Sequence, residues 1–343
     1  MATPLNQAHR GPSPADLLMQ FSIGYMVSSS IGVVARLKIA DLLDAGPKSV
    51  ADLARETQVN ENALFRVLRA LSSVGVFVET APRTFVNTPL SEILRVDAPD
   101  SVRDMIIWLT TPVHFQTYAE LMHSVKTGAT TIDKVTGHEC FEYFRQNPGV
   151  GEIFNRAMTG FSSMMAPAVL EAYDFSGLGT LADIAGGHGF LLTSILKKHD
   201  DLRGRLFDLP HVCSGARAAI EAQGLASRCQ IVEGDFFKSV PAADSYIMKH
   251  IIHDWDDDRA VQILNNCISA MQGKGKVLLV ESVIAPGNDP HLAKWIDIEM
   301  LTMPSGKERT EKEFAELFVR AGLRLSRVVP TKSPVCVVEA VKA

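Results

Sequence analysis

Two stretches of this chain bring together residue types that could do chemistry. The first is Asp183-Ile184-Ala185-Gly186-Gly187-His188-Gly189, an apolar run that ends in an acid followed by glycines. Glycines after a strand let the backbone turn sharply and approach a ligand with no Cβ in the way. Asp208 lies 22 residues beyond Gly186. From that position in doubly wound folds a carboxylate accepts hydrogen bonds from ribose hydroxyls. The second stretch is Lys249-His250-Ile251-Ile252-His253-Asp254-Trp255. An imidazole can take and return a proton near neutral pH, and His250 and His253 compete for that role on position alone.

Two cofactor classes suit the glycine-rich turn, a dinucleotide and S-adenosylmethionine. The dinucleotide fingerprint needs a third glycine at the start of the helix. Read from Gly187, that place holds Leu192. Asp183, just before the glycines, suits a cationic sulfonium better than a pyrophosphate. Gly234-Asp235-Phe236, after the third strand, is placed to flank an adenine.

These residues need a frame. Strands are expected at 180–185, 205–208, 230–232, 245–248 and 276–280, with helices between them near 190–198, 215–223, 257–271 and 310–321. A closing hairpin is expected over 323–328 and 335–341. The alternation predicts an α/β class: a parallel sheet with helices on both faces and ligands at its carboxyl edge.

Residues 101–172 read as helical and rich in methionine and aromatic side chains, which suit a core or the wall of a flat apolar pocket. The first hundred residues read as two short helices, opened by Ser49 and Asn60, then two strands at Gly75–Val78 and around Phe85–Val86. That is a winged-helix pattern. Arg66 and Arg69 could face DNA in such a motif, but Glu56 and Glu61 thin the basic face, which favours a scaffold. Leu17 to Ala35 carries no charge and is long enough to cross a bilayer; its glutamine, serines and glycines favour a buried helix in a subunit interface.

A length of 343 residues favours two domains, taken as 1–100 and 101–343. A net charge of −5 without a run of like charges argues against a general nucleic-acid binder. The five cysteines are scattered, with no Cys-x-x-Cys pair, and read as reduced thiols in the cytoplasm; no metal-ligand cluster stands out. Residues 1–14 lack a basic-then-apolar secretory pattern.

In order and spacing, these motifs resemble those of the plant and bacterial small-molecule O-methyltransferases of the caffeate, flavonoid and acetylserotonin type. The resemblance covers almost the whole chain. It is carried by Asp183 to Gly189, Phe207-Asp208-Leu209-Pro210, His253-Asp254-Trp255, Val280-Glu281 and Gly306-Lys307-Glu308-Arg309-Thr310. The winged-helix start matches the family's dimerisation domain. The resemblance implies a Rossmann-like methyltransferase sheet, S-adenosylmethionine as cofactor without a metal, and a cytoplasmic homodimer. It implies a small phenolic acceptor as partner, rather than nucleic acid or membrane.

Residue by residue, the resemblance implies that His253 is the general base, braced by Glu281 and Glu308. Asp183, Ala185, Gly186, Gly187 and Gly189 would hold the amino-acid end of the cofactor and Asp208 its ribose. Asp235 and Phe236 would contact the adenine, and Lys249 would also touch the cofactor. Phe154, Met158, Phe161 and Met300 would line the acceptor pocket. Ala185 stands where the family usually has glycine, and its methyl group is expected to be tolerated in ordinary β geometry. The segment Leu301 to Ser305 is shorter than in plant relatives, so no single relative's acceptor carries over. A fold repurposed for decarboxylation, hydroxylation or cyclisation is the main rival, and the intact His253, Glu281 and Glu308 argue against it.

Overall fold

The structure, a computed structural model, describes residues 12–343. Most of the stretch 1–14 read above for a secretory pattern therefore lies outside the described residues. The chain forms two compact units, Met1–Thr111 and Pro112–Ala343. The division placed after residue 100 falls after Thr111 because the helix Arg103–Leu109 stays with the first unit. Arg36 donates to the carbonyls of Ile107 and Thr110 at 3.0 and 2.7 Å, and Arg103 donates to that of Ala35 at 3.0 Å.

In the first unit, Ser49 caps the helix Val50–Thr57 and Asn60 caps Glu61–Ser72, each accepting an amide three residues on. Their inner faces, with Leu53, Leu64, Leu68 and Leu71, close over Phe77 and Phe85. Those phenylalanines come from strands β2 (Phe77–Ala81) and β3 (Thr84–Asn87); a two-residue strand β1 (Lys48–Ser49), not expected from the sequence, pairs antiparallel with β3. The uncharged run is two helices rather than one, Pro14–Ser22 and Gly24–Arg36, parted at Ile23. By length and composition alone this run could cross a membrane. Leu18, Met19, Phe21 and Tyr25 are 67, 63, 74 and 58% exposed, so within the single chain this segment is largely uncovered.

The second unit is built on a seven-stranded sheet in the order β6-β5-β4-β7-β8-β10-β9. The strands are β4 (Thr180–Ile184), β5 (Arg203–Asp208), β6 (Cys229–Glu233), β7 (Ser245–Lys249), β8 (Lys276–Glu281), β9 (Leu323–Pro330) and β10 (Cys336–Lys342). β4 to β8 run parallel, and the hairpin of β9 and β10 closes the edge antiparallel. Side chains alternate along each strand between two cores. Leu181, Leu206, Ile247 and Leu278 pack toward the helices Pro148–Ala172 and Phe190–Lys198. Ala182, Phe207, Tyr246 and Leu279 pack toward Asp257–Ala270 and Glu311–Arg320. Both faces are thus buried, as a parallel sheet requires. The chain winds outward from β4 first to β5 and then, on its other side, to β7. The carboxyl ends of β4 and β7 flank that reversal, where open sheets form a ligand crevice.

Candidate active site

β7 ends at Lys249, and His250 follows with a left-handed backbone, φ 52°. A single 3₁₀ turn, Ile252–Asp254, then presents His253. Glu281, the last residue of β8, holds that turn from below. Its Oε1 accepts the backbone amides of Ile251 and Ile252 at 3.1 and 3.0 Å. Glu308 Oε1 lies 2.7 Å from His253 Nδ1, whereas Glu281 Oε2 is 3.8 Å from the same nitrogen. The two glutamates therefore act differently: Glu308 meets the ring, and Glu281 shapes the loop that carries it. Asp254 Oδ1 stands 3.4 Å from His253 Nε2.

His253, Glu281 and Glu308 are buried, and Asp254 is partly so. Burial would lower the pKa of His253, but Glu281, Asp254 and Glu308 outweigh it and push it up to about 10. Burial raises Glu281 to about 7 against the pull of His253, and raises Asp254 to about 6 in the same way. His250 is held well below the usual histidine range by burial, with His253 and Lys249 adding to the effect, so it stays neutral. Its ring lies 4.8 Å from that of His253, yet neither of its nitrogens has a hydrogen-bond partner among the described residues. Of the two histidines that competed on position, His253 is the one with a carboxylate at hydrogen-bond distance.

The absence of a metal-ligand cluster, expected from sequence spacing, needs correcting. Ligand atoms of His250, His253 and Glu308 lie within 4.8 Å of one another. The 2.7 Å separation of His253 Nδ1 and Glu308 Oε1 is a hydrogen-bond distance, so these two groups engage each other.

The neighbouring loop relies on backbone shape. Ala185 has φ 54°, in the left-handed region, so the ordinary β geometry expected of it is not adopted. A side chain with a Cβ costs roughly 1–2 kcal/mol there. The turn needs that conformation because the next residues double back. A Cβ on Gly186 would run into Leu206 and the Asp183 carboxyl group. Gly187, at φ 59°, donates its amide to Asp208 Oδ2 at 2.8 Å, and a Cβ there would meet nothing within 4 Å. The space beside this α-carbon leaves room at the turn for a ligand. Asp183 lies beneath the loop, its carboxyl pushed up to about 7 by burial against the attraction of Lys249. Asp208 is also raised by burial, while the amides of Gly187 and Leu209 pull it down. Gly234 donates to the Asp208 carbonyl at 3.0 Å, which sets Asp235 and Phe236 beside the loop. Phe236 packs 5.9 Å from Trp255, joining the two stretches.

Three expected wall residues share the helix Pro148–Ala172. The Phe161 ring is 5.3 Å from His250 and 6.0 Å from Lys249 Nζ. Phe154 packs against Phe141, which lies 5.5 Å from Trp255. Met158 falls three residues before Phe161, and Met300 is buried on the helix Ala293–Thr302. Sequence reasoning missed several supports. Asp297 accepts the amide of Glu308 at 2.9 Å. Arg309, 1% exposed, donates to the carbonyls of Ile252 and Trp255 at 3.0 and 2.9 Å and ties that turn to Asp257. A Cβ on Gly306 would collide with the backbone of His253 and Asp254. Arg309 and Gly306 stand in the run 306–310, so their presence was visible although their contacts were not.

A family model described as an O-methyltransferase domain matches residues 118–324, and another described as an O-methyltransferase dimerisation domain matches residues 19–97. A phenazine O-methyltransferase, PhzM, of Lysobacter antibioticus is 42% identical over 327 residues, covering 95% of this chain and 96% of that protein. The crystal structure of LaPhzM matches with a TM-score of 0.93 at 41% identity, covering 97% of this chain and all of that one (100%). NcsB1, an O-methyltransferase from neocarzinostatin biosynthesis solved with S-adenosylmethionine and 2-hydroxy-5-methyl naphthoic acid, matches with a TM-score of 0.80 at 32% identity, covering 92% of this chain and 96% of that one. On the extent of these matches, the chain belongs to the O-methyltransferase family, with the family's dimerisation domain in its first unit and its O-methyltransferase domain in its second.

Proposed function

We propose that this enzyme moves the methyl group of S-adenosylmethionine to a hydroxyl of a small aromatic acceptor, with His253 as general base. The observation that carries this reading is the 2.7 Å contact between His253 Nδ1 and Glu308, beside a glycine loop open to a ligand. S-adenosylmethionine, when bound, supplies a methyl group on a cationic sulfur that an oxygen nucleophile can displace. The acidic groups at the loop, Asp183 and Asp208, favour a cation there, and Asp208 retains acceptor capacity for ribose hydroxyls. Asp235 and Phe236 would flank the adenine, and Lys249 would contact the cofactor at the end of β7. Phe154, Met158, Phe161 and Met300 would enclose an aromatic ring.

Glu308 accepts a hydrogen bond from the Nδ1–H of His253 and so leaves the Nε2 lone pair for the acceptor hydroxyl. The surrounding carboxylates stabilise the imidazolium once the proton has arrived. A phenol holds its proton with a pKa near that of tyrosine, about 10, and the carboxylates that push His253 up make it a stronger base for that proton. A positioned base of this kind contributes about 10²–10⁴ in rate, and alignment of the reacting atoms supplies the remainder. The relative solved with a hydroxylated naphthoic acid supports an aromatic acceptor.

The exposed apolar residues at 17–26 and the dimerisation domain support a homodimer. All five cysteines are unpaired thiols, which supports the reducing cytoplasm. Product analysis over a panel of phenols tests the reading. A mass gain of one methyl, with one S-adenosylhomocysteine formed per product, is expected. Products formed without that gain would overturn it in favour of a repurposed fold.

A further inference from the structure

Next to Met300, the helix Ala293–Thr302 carries an acid that the proton step does not use. Glu299 Oε1 lies 2.7 Å from His114 Nε2, and its Oε2 accepts the Tyr118 hydroxyl at 2.7 Å. The side chains of His114 and Glu299 are only 2 and 17% exposed. Burial works against the ionised carboxyl, yet His114 and Tyr118 hold its pKa below the ordinary value. An ionised carboxylate drawn from water in this way is costly unless its charge is used.

Fastening the helix does not call for it. Ser124 already donates to the Leu301 carbonyl at 3.4 Å and Thr131 to that of Thr302 at 3.1 Å, while Asp297 joins the helix to Glu308. The helix itself runs past the base: Asp297, two residues before Glu299, accepts the amide of Glu308, whose carboxylate lies 2.7 Å from His253 Nδ1. Each oxygen of a carboxylate has two lone pairs, and His114 and Tyr118 take one from each.

We propose that Glu299, held by His114 and Tyr118, is a specificity-determining residue. It accepts a hydrogen bond from a second O–H or N–H on the aromatic acceptor, away from the hydroxyl that is methylated, and it disfavours acceptors with a carboxylate at that place. The proposal rests on the acceptor pocket assigned above to the surroundings of Met300.

The test compares kcat/KM for a dihydroxynaphthalene, for the naphthol lacking the second hydroxyl, and for that naphthol bearing a carboxylate instead. Hydrogen bonds to charged groups predict a preference of about ten- to a hundredfold for the diol over the plain naphthol. Glu299→Leu should collapse that preference to about twofold or less. Glu299→Gln, which keeps the shape and the hydrogen-bonding capacity, should reduce it severalfold and improve the carboxylated naphthol. A merely structural role would not produce that last gain. If both variants slow all three compounds alike, or leave the diol preference intact, the subsite is overturned and methyl transfer stands. If no compound gains a methyl with the unaltered enzyme, the methyl-transfer reading fails and the subsite fails with it.

Discussion

Two turns leave the same edge of the sheet from adjacent strands, each with a left-handed residue just past the strand, Ala185 and His250, yet the rest of each is held by different means. The turn after β4 is fixed by backbone conformation: Ala185, Gly187 and Gly189 all have positive φ, and one amide bonds to Asp208. The turn after β7 is fixed by charge, with Glu281, Asp254, Glu308 and buried Arg309 around one histidine. The first can bring main chain close to a flat ligand while exposing few side chains. The second stabilises a proton at one atom. The difference implies that changes in the first turn appear as binding and changes in the second as turnover.

The comparison can be broken at four points. The largest effect is expected from His253→Ala, which should lower kcat by about 10²–10⁴ while calorimetry finds S-adenosylmethionine binding unchanged. Equal loss of both would show that the two turns do not divide the work. Asp208→Ala should do the reverse, raising KM for S-adenosylmethionine about ten- to a hundredfold, the worth of hydrogen bonds to a charged group, with kcat changed far less. Third, His253 must be neutral to act and its pKa is pushed up to about 10, so kcat/KM for S-adenosylmethionine should climb as pH rises from 7 toward that value. Glu281, Asp254, Glu308 and His250 all lie against the ring. Glu308→Gln should move the ascending limb to lower pH, and a limb already near the ordinary histidine pKa of about 6.5 would remove the role given to the carboxylates. The smallest effect is expected from Ala185→Gly. Relief of the left-handed strain, about 1–2 kcal/mol, is partly offset by the greater chain entropy of glycine, about 0.5–1 kcal/mol. A net gain of roughly 0.5–1 kcal/mol should raise Tm by about 1–4 °C in thermal unfolding.

Much of the frame was legible because a buried parallel sheet writes its strands as short apolar runs parted by turns. β4, β7 and β8 lie within a residue of expectation for that reason. The helix Pro210–Ala222 starts five residues earlier than expected, since Leu209 offers no capping side chain and Pro210 reads as a breaker although it fits a first helical turn. Ala185 was misjudged because its side chain carries no sign of the φ its neighbours impose. At the base, position alone left His250 and His253 open and the family resemblance supplied His253, Glu281 and Glu308; spacing could not show that Glu281 bonds to amides rather than to the ring. His114 and Glu299 stand 185 positions apart, a separation over which no local pattern reports contact.

The bare α-carbon at position 306 sets where this enzyme can change its taste. Because it abuts main chain belonging to His253 and Asp254, no rotamer adjustment could make room for a substituent. The stretch from there to Arg309 is consequently pinned to the turn that carries His253. Upstream, Met300, Thr302 and Met303 are buried through their side chains rather than jammed as bare main chain, so a new acceptor is met by repacking those side chains and not by moving the backbone at 306.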